Sequence, residues 1–356
     1  MKTRYQFLSF LVFCTVCSFD DVYYKPEDYT SVLKIDAHTH FRTESLVFSE
    51  KAKEDNFLLL DVNLDSPGEP ELAEQQRLAL FHISKFPDRV RFLSAFSLKN
   101  QNSPQWTNET IAGIRKSIYN GALGIKIWKN IGMYYKDASG RFILIDDPKF
   151  DSVINYLIKE DKTLLAHSGE PKNCWLPLEK MTVKNDQSYY KSHPQYHMYL
   201  HPEYPSYEQL INARDHFLEK HPTLRFVGAH LGSLEWNIDE LAKRLDKFPN
   251  MAVDMAARIG HLQYQSITNY EKVRNFVIKY QDRLIYGTDL NNSVSDTAAS
   301  RNYWHQTWFS DWNYFVTGNK MESVQVEGAF KGLRLPRTVV DKIYRLNAIR
   351  WFKIKL

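Results

Sequence analysis

The sequence predicts an α/β fold, a single (β/α)8 barrel of the TIM type. Three observations carry this. Eight apolar, strand-like runs alternate with amphipathic helical stretches. Several of those runs are apolar without alternation, as happens when a strand is covered on both faces. Polar side chains then follow the runs just past their ends, where a barrel gathers them at one mouth.

The runs lie at 32–36, 57–62, 90–96, 122–127, 163–167, 225–230, 251–254 and 284–287, and the helical patterns at 71–85, 108–119, 151–159, 207–220, 238–247 and 270–280. Thr107 is expected to cap the second helix, and 337–352 reads as a closing helix. A chain of 356 residues suits one such barrel, so no second domain is required. Two segments, 168–206 and 290–322, are rich in Tyr, Trp and His and are expected to be lid or binding loops.

Composition narrows the function classes. The 46 basic and 42 acidic side chains leave a net charge of only +4 without a basic run, which argues against a nucleic-acid partner and leaves a small-molecule substrate. At the N-terminus, Lys2 and Arg4 precede an apolar stretch from Tyr5 to Val16, too short to span a bilayer but suited to a secretory signal. The following Cys17-Ser18-Phe19-Asp20-Asp21 resembles the lipid-attachment cysteine and acidic export tag of Bacteroidetes-type lipoproteins. The expected organisation is therefore a signal at 1–17, a polar tether at 18–30 and a barrel at 31–356. That places the protein in the periplasm or on the outer membrane of a Gram-negative bacterium, touching membrane only through its N-terminal lipid, as a monomer or a homo-oligomer. Cleavage before Cys17 leaves Cys174 as a single thiol, so no disulfide framework forms.

The chemistry concentrates at four strand ends. Ile35-Asp36-Ala37-His38-Thr39-His40 puts two histidines two apart on an extended segment, so both imidazoles project the same way and can reach one ion. Leu164-Leu165-Ala166-His167 and Phe226-Val227-Gly228-Ala229-His230 are apolar runs ending in His, and Leu284-Ile285-Tyr286-Gly287-Thr288-Asp289 is one ending in a carboxylate. Each alone is an ordinary hydrogen-bonded strand cap; the set of four, on strands one, five, six and eight, is not.

This order resembles the amidohydrolase superfamily over about 34–352. The stretches Gly124-Ile125-Lys126-Ile127-Trp128-Lys129, Gly228-Ala229-His230-Leu231-Gly232 and Tyr286-Gly287-Thr288-Asp289 are similar to the branch of lactone hydrolases and nonoxidative decarboxylases. The resemblance implies a divalent metal, zinc in the first instance, as one ion or two, held by His38, His40, His167 and Asp289. It implies that His230 either binds a second metal or polarises a substrate carbonyl. Lys126 lies near the place of a carboxylated lysine that bridges two metals in binuclear members; the alternative is an unmodified cation gripping a substrate carboxylate.

The implied reaction is hydrolysis of a lactone, ester or amide, with Asp289 as proton acceptor and His230 at the developing oxyanion. The alternative is metal-dependent decarboxylation of a small aromatic or unsaturated acid. Arg258 either binds a carboxylate or pairs with Asp254, Glu170 positions the His167 loop or touches substrate, and Asp36 orients a neighbour. His193, His197 and His201 read as lid residues, since Pro194, Pro202 and Pro205 interrupt any regular helix there.

Overall fold

A computed structural model of the chain describes residues 22–293 and 297–356. The expected export signal and its Cys17 lie outside the described residues. All eight runs form strands: β1 (Lys34–His40), β2 (Phe57–Val62), β3 (Val90–Ala95), β4 (Gly124–Ile127), β5 (Thr163–Ala166), β6 (Phe226–Gly228), β7 (Met251–Asp254) and β8 (Leu284–Ile285), with β9 (Leu290–Asn291) just after. They pair in parallel in the order β8-β7-β6-β5-β4-β3-β2-β1-β9.

The two ends of that order are halves of one broken strand. β8 lies beside β7, the chain bends through 286–289, and β9 pairs with β1 at Thr39↔Leu290 and His40↔Asn291. Between the halves, Ala37 N–H donates to the Tyr286 carbonyl at 3.0 Å and Asp289 N–H to the His38 carbonyl at 2.8 Å. These bonds close the cylinder, and the residue predicted as the metal-binding carboxylate sits on its seam.

Alternate residues explain why the strands read as continuous apolar runs. Ile35, Ala37, Leu58, Leu60, Leu93, Leu165, Val227, Ala252 and Ile285 form one cluster, sealed by Trp351, Phe352 and Ile354 of the C-terminal segment. Their neighbours Phe57, Leu59, Ile125, Leu164, Phe226, Val253 and Leu284 belong to a second cluster shared with the surrounding helices. Both faces are dry, so neither needs polar residues.

The helices Leu72–Lys85, Asp151–Lys159, Tyr207–Lys220 and Ile238–Lys247 follow the sequence pattern. Four expectations are corrected. The helix expected from Asn108 begins at Trp106, so Thr107 sits in its first turn and is not its cap. The helix at 270–280 is the second half of Ile259–Lys279, bent at Asn269; its first half buries Gly260, His261, Gln263 and Ser266 along with its apolar residues and so shows no polar face. The expected polar tether is docked from Tyr24 onward: Tyr24 and Tyr29 are buried, and the Tyr24 hydroxyl donates to Asp341 at 2.9 Å.

The fourth correction concerns the expected loop at 290–322, which holds the 19-residue helix Ala298–Val316. Trp304, Trp308 and Trp312, spaced by four, form its buried face. Trp308 stacks on Phe57 at 4.8 Å and donates its indole N–H to Asp36 at 2.9 Å. This helix is an outer stave of the barrel and no lid. Trp308→Ala should destabilise the fold by ~3–5 kcal/mol, the usual cost of emptying a large core site; a chemical-denaturation midpoint unchanged from wild type would contradict this packing role.

Asp61, on β2, is fully enclosed, and burial pushes its carboxyl up to about 7 against the pull of Phe41 N–H and Asn63. The unfolded value is about 3.9. Across that window the folded chain keeps a proton that the unfolded chain has lost, so this residue's contribution to stability falls as pH rises. Asp61→Asn should remove that fall, because Asn63 Oδ1 is buried without a partner and its amide can turn to accept from the new one. The check is melting temperature against pH for metal-stripped protein: a variant with the wild-type slope between pH 4.5 and 7.5 would refute it.

Candidate functional site

Each candidate side chain is aimed by a local backbone feature. On β1 the pairing register shifts between Asp36 and Thr39, and the rings of His38 and His40 end 5.3 Å apart. After β6, His230, Leu231 and Ser233 adopt left-handed backbones, at φ of 58°, 57° and 57°. Gly228 is obligatory there, since a Cβ would stand 2.8 Å from Gly232 Cα. Asp289 is also left-handed, at φ 69°. Such backbones are costly for non-glycine residues and persist where the surroundings impose them, often at functional sites.

Asp36 is one imposing group. Its carboxylate accepts from Thr288 N–H at 3.0 Å, Thr288 Oγ1 at 2.5 Å, Trp308 at 2.9 Å and His38 N–H at 3.3 Å. It thereby ties β1 to the turn that presents Asp289, the orienting role expected of it.

The histidines are fixed from behind. His40 Nδ1 lies 2.6 Å from the Val62 carbonyl and His230 Nδ1 lies 2.9 Å from the Ala256 carbonyl. A carbonyl oxygen only accepts, so each Nδ1 carries a proton, and burial keeps His230 from taking a second, so its Nε2 presents a lone pair. His38 Nδ1 lies 2.8 Å from Asp254 Oδ2, which sets the same tautomer. Asp254 is itself held by the N–H groups of His230 at 2.7 Å and Ala256 at 3.1 Å.

In front, the lone pairs converge. Asp289 Oδ1 is 2.9 Å from His40 Nε2 and 3.6 Å from His38 Nε2. One ligand atom each from His38, His230 and Asp289 lies within 4.8 Å of the other two. The ring of His167 stands 4.3 Å from that of His230, and its Nε2 is buried without a partner. Electron-pair donors do not face one another at such distances unless a proton or cation lies between them, and neutral imidazoles with a carboxylate are the donor set of a catalytic divalent ion. The residues fit the metal.

Electrostatics agree. Burial pushes His38 and His167 down and His230 down to about 3, keeping the rings neutral as ligands must be. Burial works against Asp289, but the His40 hydrogen bond and the neighbouring imidazoles outweigh it and hold the carboxyl well below its ordinary value. Asp254 behaves alike, held at about 2 against burial by His38, His230 and Lys126. Lys126, itself fully enclosed, has its Nζ 3.4 Å from His38 Nε2, and burial pushes it down to about 8.

His38, His40, His167 and Asp289 line one cavity of about 380 Å³, together with His230, Lys126, Arg258 and Glu170. The tightest group differs from the expected quartet, because His230 stands inside it while His40 joins through Asp289 and His167 through His230. Arg258 does not hydrogen-bond Asp254; it faces the cavity, with its Nε buried and unpartnered. Glu170 pairs with Lys129 on the wall. His193, His197 and His201 line no part of it and donate within their own segment, to the carbonyls of Tyr189, Leu176 and Pro194.

Sequence reasoning missed Asp254 as the group behind His38, although Met251-Ala252-Val253-Asp254 repeats the signal of an apolar run ending in a carboxylate. It also missed the helix Lys184–Ser192 in the expected loop at 168–206, which brings Asn185, Asp186, Tyr189 and Tyr190 to the cavity.

The family model described as Amidohydrolase matches residues 102–354. The chain belongs to the amidohydrolase family. Among solved structures, this amidohydrolase is similar to an uncharacterised TIM-barrel protein from Bordetella bronchiseptica (12% identity, 90% of this chain and 99% of that one, TM-score 0.55). It is also similar to 5-carboxyvanillate decarboxylase from Novosphingobium aromaticivorans, a structure complexed with manganese (14%, 92% and 97%, 0.51). A third is 2,6-dihydroxybenzoate decarboxylase from Rhizobium (15%, 90% and 98%, 0.50). At these identities the likeness establishes the barrel. A search of curated proteins finds no match.

Asp254→Asn tests the arrangement. The new amide would face His38 Nδ1 with a donor, drive the ring proton to Nε2 and remove the lone pair from the cavity. Zinc affinity by calorimetric titration should fall about 10–100-fold, the usual effect of losing such a partner; wild-type affinity would show that Asp254 does not set the tautomer.

Proposed function

We propose that this amidohydrolase cleaves a C–O or C–N bond of a small carbonyl substrate, a lactone, ester or amide, at a divalent metal held by His38, His230 and Asp289 with His40 and His167 beside them. The observation that carries the reading is the convergence of the histidine ring nitrogens of His38, His40 and His230 on the Asp289 carboxylate at the wall of a cavity. A divalent ion in such a set lowers the pKa of water toward neutrality and polarises a carbonyl, and zinc is the first choice for nitrogen-rich donors.

The chain's own groups divide the remaining work. Asp289 is open to the cavity, its side chain 36% exposed, and is ionised, so it accepts the proton of the attacking water and returns it to the leaving oxygen or nitrogen. On this reading His230 is a ligand rather than the oxyanion donor, the other role the resemblance allowed. Its single proton is given to Ala256, and burial keeps it from taking another. Its place is among the ligands, and stabilisation of developing negative charge passes to Lys126 and Arg258, which also line the cavity.

Those two cations, with Lys129, favour a second reading as well. They suit a substrate that brings its own carboxylate, and decarboxylation would use the same groups, with Asp289 taking a proton from water and passing it to the carbon that loses carbon dioxide.

The test is a screen of metal-loaded protein against lactones, esters, amides and aromatic or unsaturated carboxylates. Hydrolysis without release of carbon dioxide is expected; release of carbon dioxide with the decarboxylated product, and no hydrolysis, would replace the first reading by the second, and inertness toward all four classes would sink both. His38→Ala and Asp289→Asn should each lower kcat/KM by at least ~10²-fold with circular dichroism unchanged, and full activity in either variant would remove that residue from the site.

A further inference from the structure

The segment 168–206 crosses the mouth after β5, and its helix Lys184–Ser192 has two buried side chains, Asp186 and Tyr190. Tyr190 and its neighbour Tyr189 line the cavity together with the seam residue Asp289. Nine residues of polar sequence would not stay there by apolar packing alone. Tyr190 packs on Cys174 and Met198 and Gln187 donates to the Leu178 carbonyl, and to these is added a buried charged cluster drawn from three other places in the chain. Asp186 Oδ2 accepts from Asn173 Nδ2 at 2.9 Å and stands 3.1 Å from His261 Nε2, a close ion-pair approach without hydrogen-bond alignment, both partners of the pair being almost fully enclosed. His261 and Arg258 come from the start of the helix Ile259–Lys279 and the turn before it, and Glu235, from the stretch after β6, accepts from Lys172 N–H at 2.8 Å.

The cluster is arranged around a cation. Burial works against the Arg258 guanidinium, but Asp186, Glu235 and Glu170 outweigh it. Asp186 is in turn held at about 2, burial being overcome by His261 and Arg258. Removing one member of such a network leaves a buried charge without its counterpart, so the cheapest response is for the short helix to move away.

We propose that Asp186 and His261 form a clamp that seats the 184–192 helix against the barrel and so sets the width of the cavity at Tyr189 and Tyr190, making them positioning residues for substrate selection. This rests on the barrel mouth being the substrate site, but the clamp itself can be read without turnover.

The experiment is amide hydrogen exchange of the full, zinc-loaded chain as wild type, Asp186→Asn, His261→Leu and the double variant. Each single change should speed exchange across 184–192 by tenfold or more, with exchange in the barrel strands and zinc content unchanged. The double variant should exceed neither single by more than twofold, since both break one interaction. Wild-type exchange in either single variant, or additive effects in the double, overturns the clamp whatever the enzyme's reaction. With the best substrate of the screen, KM should rise at least tenfold while kcat stays within threefold; a fall in kcat at constant KM would overturn the positioning role. Should no substrate class be turned over, the function reading fails and exchange alone still decides the clamp.

Discussion

The rest of the structure depends on one electrostatic constraint: several electron-pair donors must be held facing each other around a point. Left to themselves these groups would separate or take up protons. They are kept in place from behind, by the carbonyls of Val62 and Ala256 and the carboxylate of Asp254, which fix where each imidazole proton resides. The strand architecture around the mouth delivers those acceptors, Val62 from the strand beside His40, Ala256 from the end of the strand beside His230, and Asp254 from β7, across the barrel seam from His38.

The constraint also accounts for the strained backbones. His230 and Asp289 are left-handed, so neither β6 nor β8 continues through them as an extended strand. Gly228 and Gly287 give these turns room: a side chain at Gly287 would come within 3.1 Å of His38 Cβ. Asp36 then spans from β1 to the turn at Thr288 and to Trp308, so the carboxylate side of the site is anchored in the aromatic layer outside the barrel.

The barrel was legible because parallel strands buried on both faces leave a strong, local mark, and β2 and β7 have the ends that the sequence predicts. The four metal-facing motifs were legible for a related reason: a polar residue capping an apolar run is ordinary once, but strands of a single barrel do not repeat it with His and Asp unless those side chains share a task. What stayed hidden depends on contacts between distant segments. The Ala298–Val316 helix looks like a loop because its buried face is made of Trp residues against aromatic neighbours and its polar face is weakly marked. The tether reading failed because Tyr24 and Tyr29 find partners such as Trp312, far along the chain. The role of His230 turned on which nitrogen faces a carbonyl, and no spacing in the sequence encodes that.

The seam has a consequence for biosynthesis. His40 and Asp289 are 249 positions apart, and the stave that carries Asp289 is completed only when β9 meets β1. The plug of Trp351 and Phe352 enters the lumen later still in synthesis. A nascent chain emerging from the ribosome therefore displays its histidines long before the carboxylate arrives, and contacts of such long range make folding slow. The full set of inward-facing donors is therefore assembled last, when translation is nearly finished and the cylinder has shut.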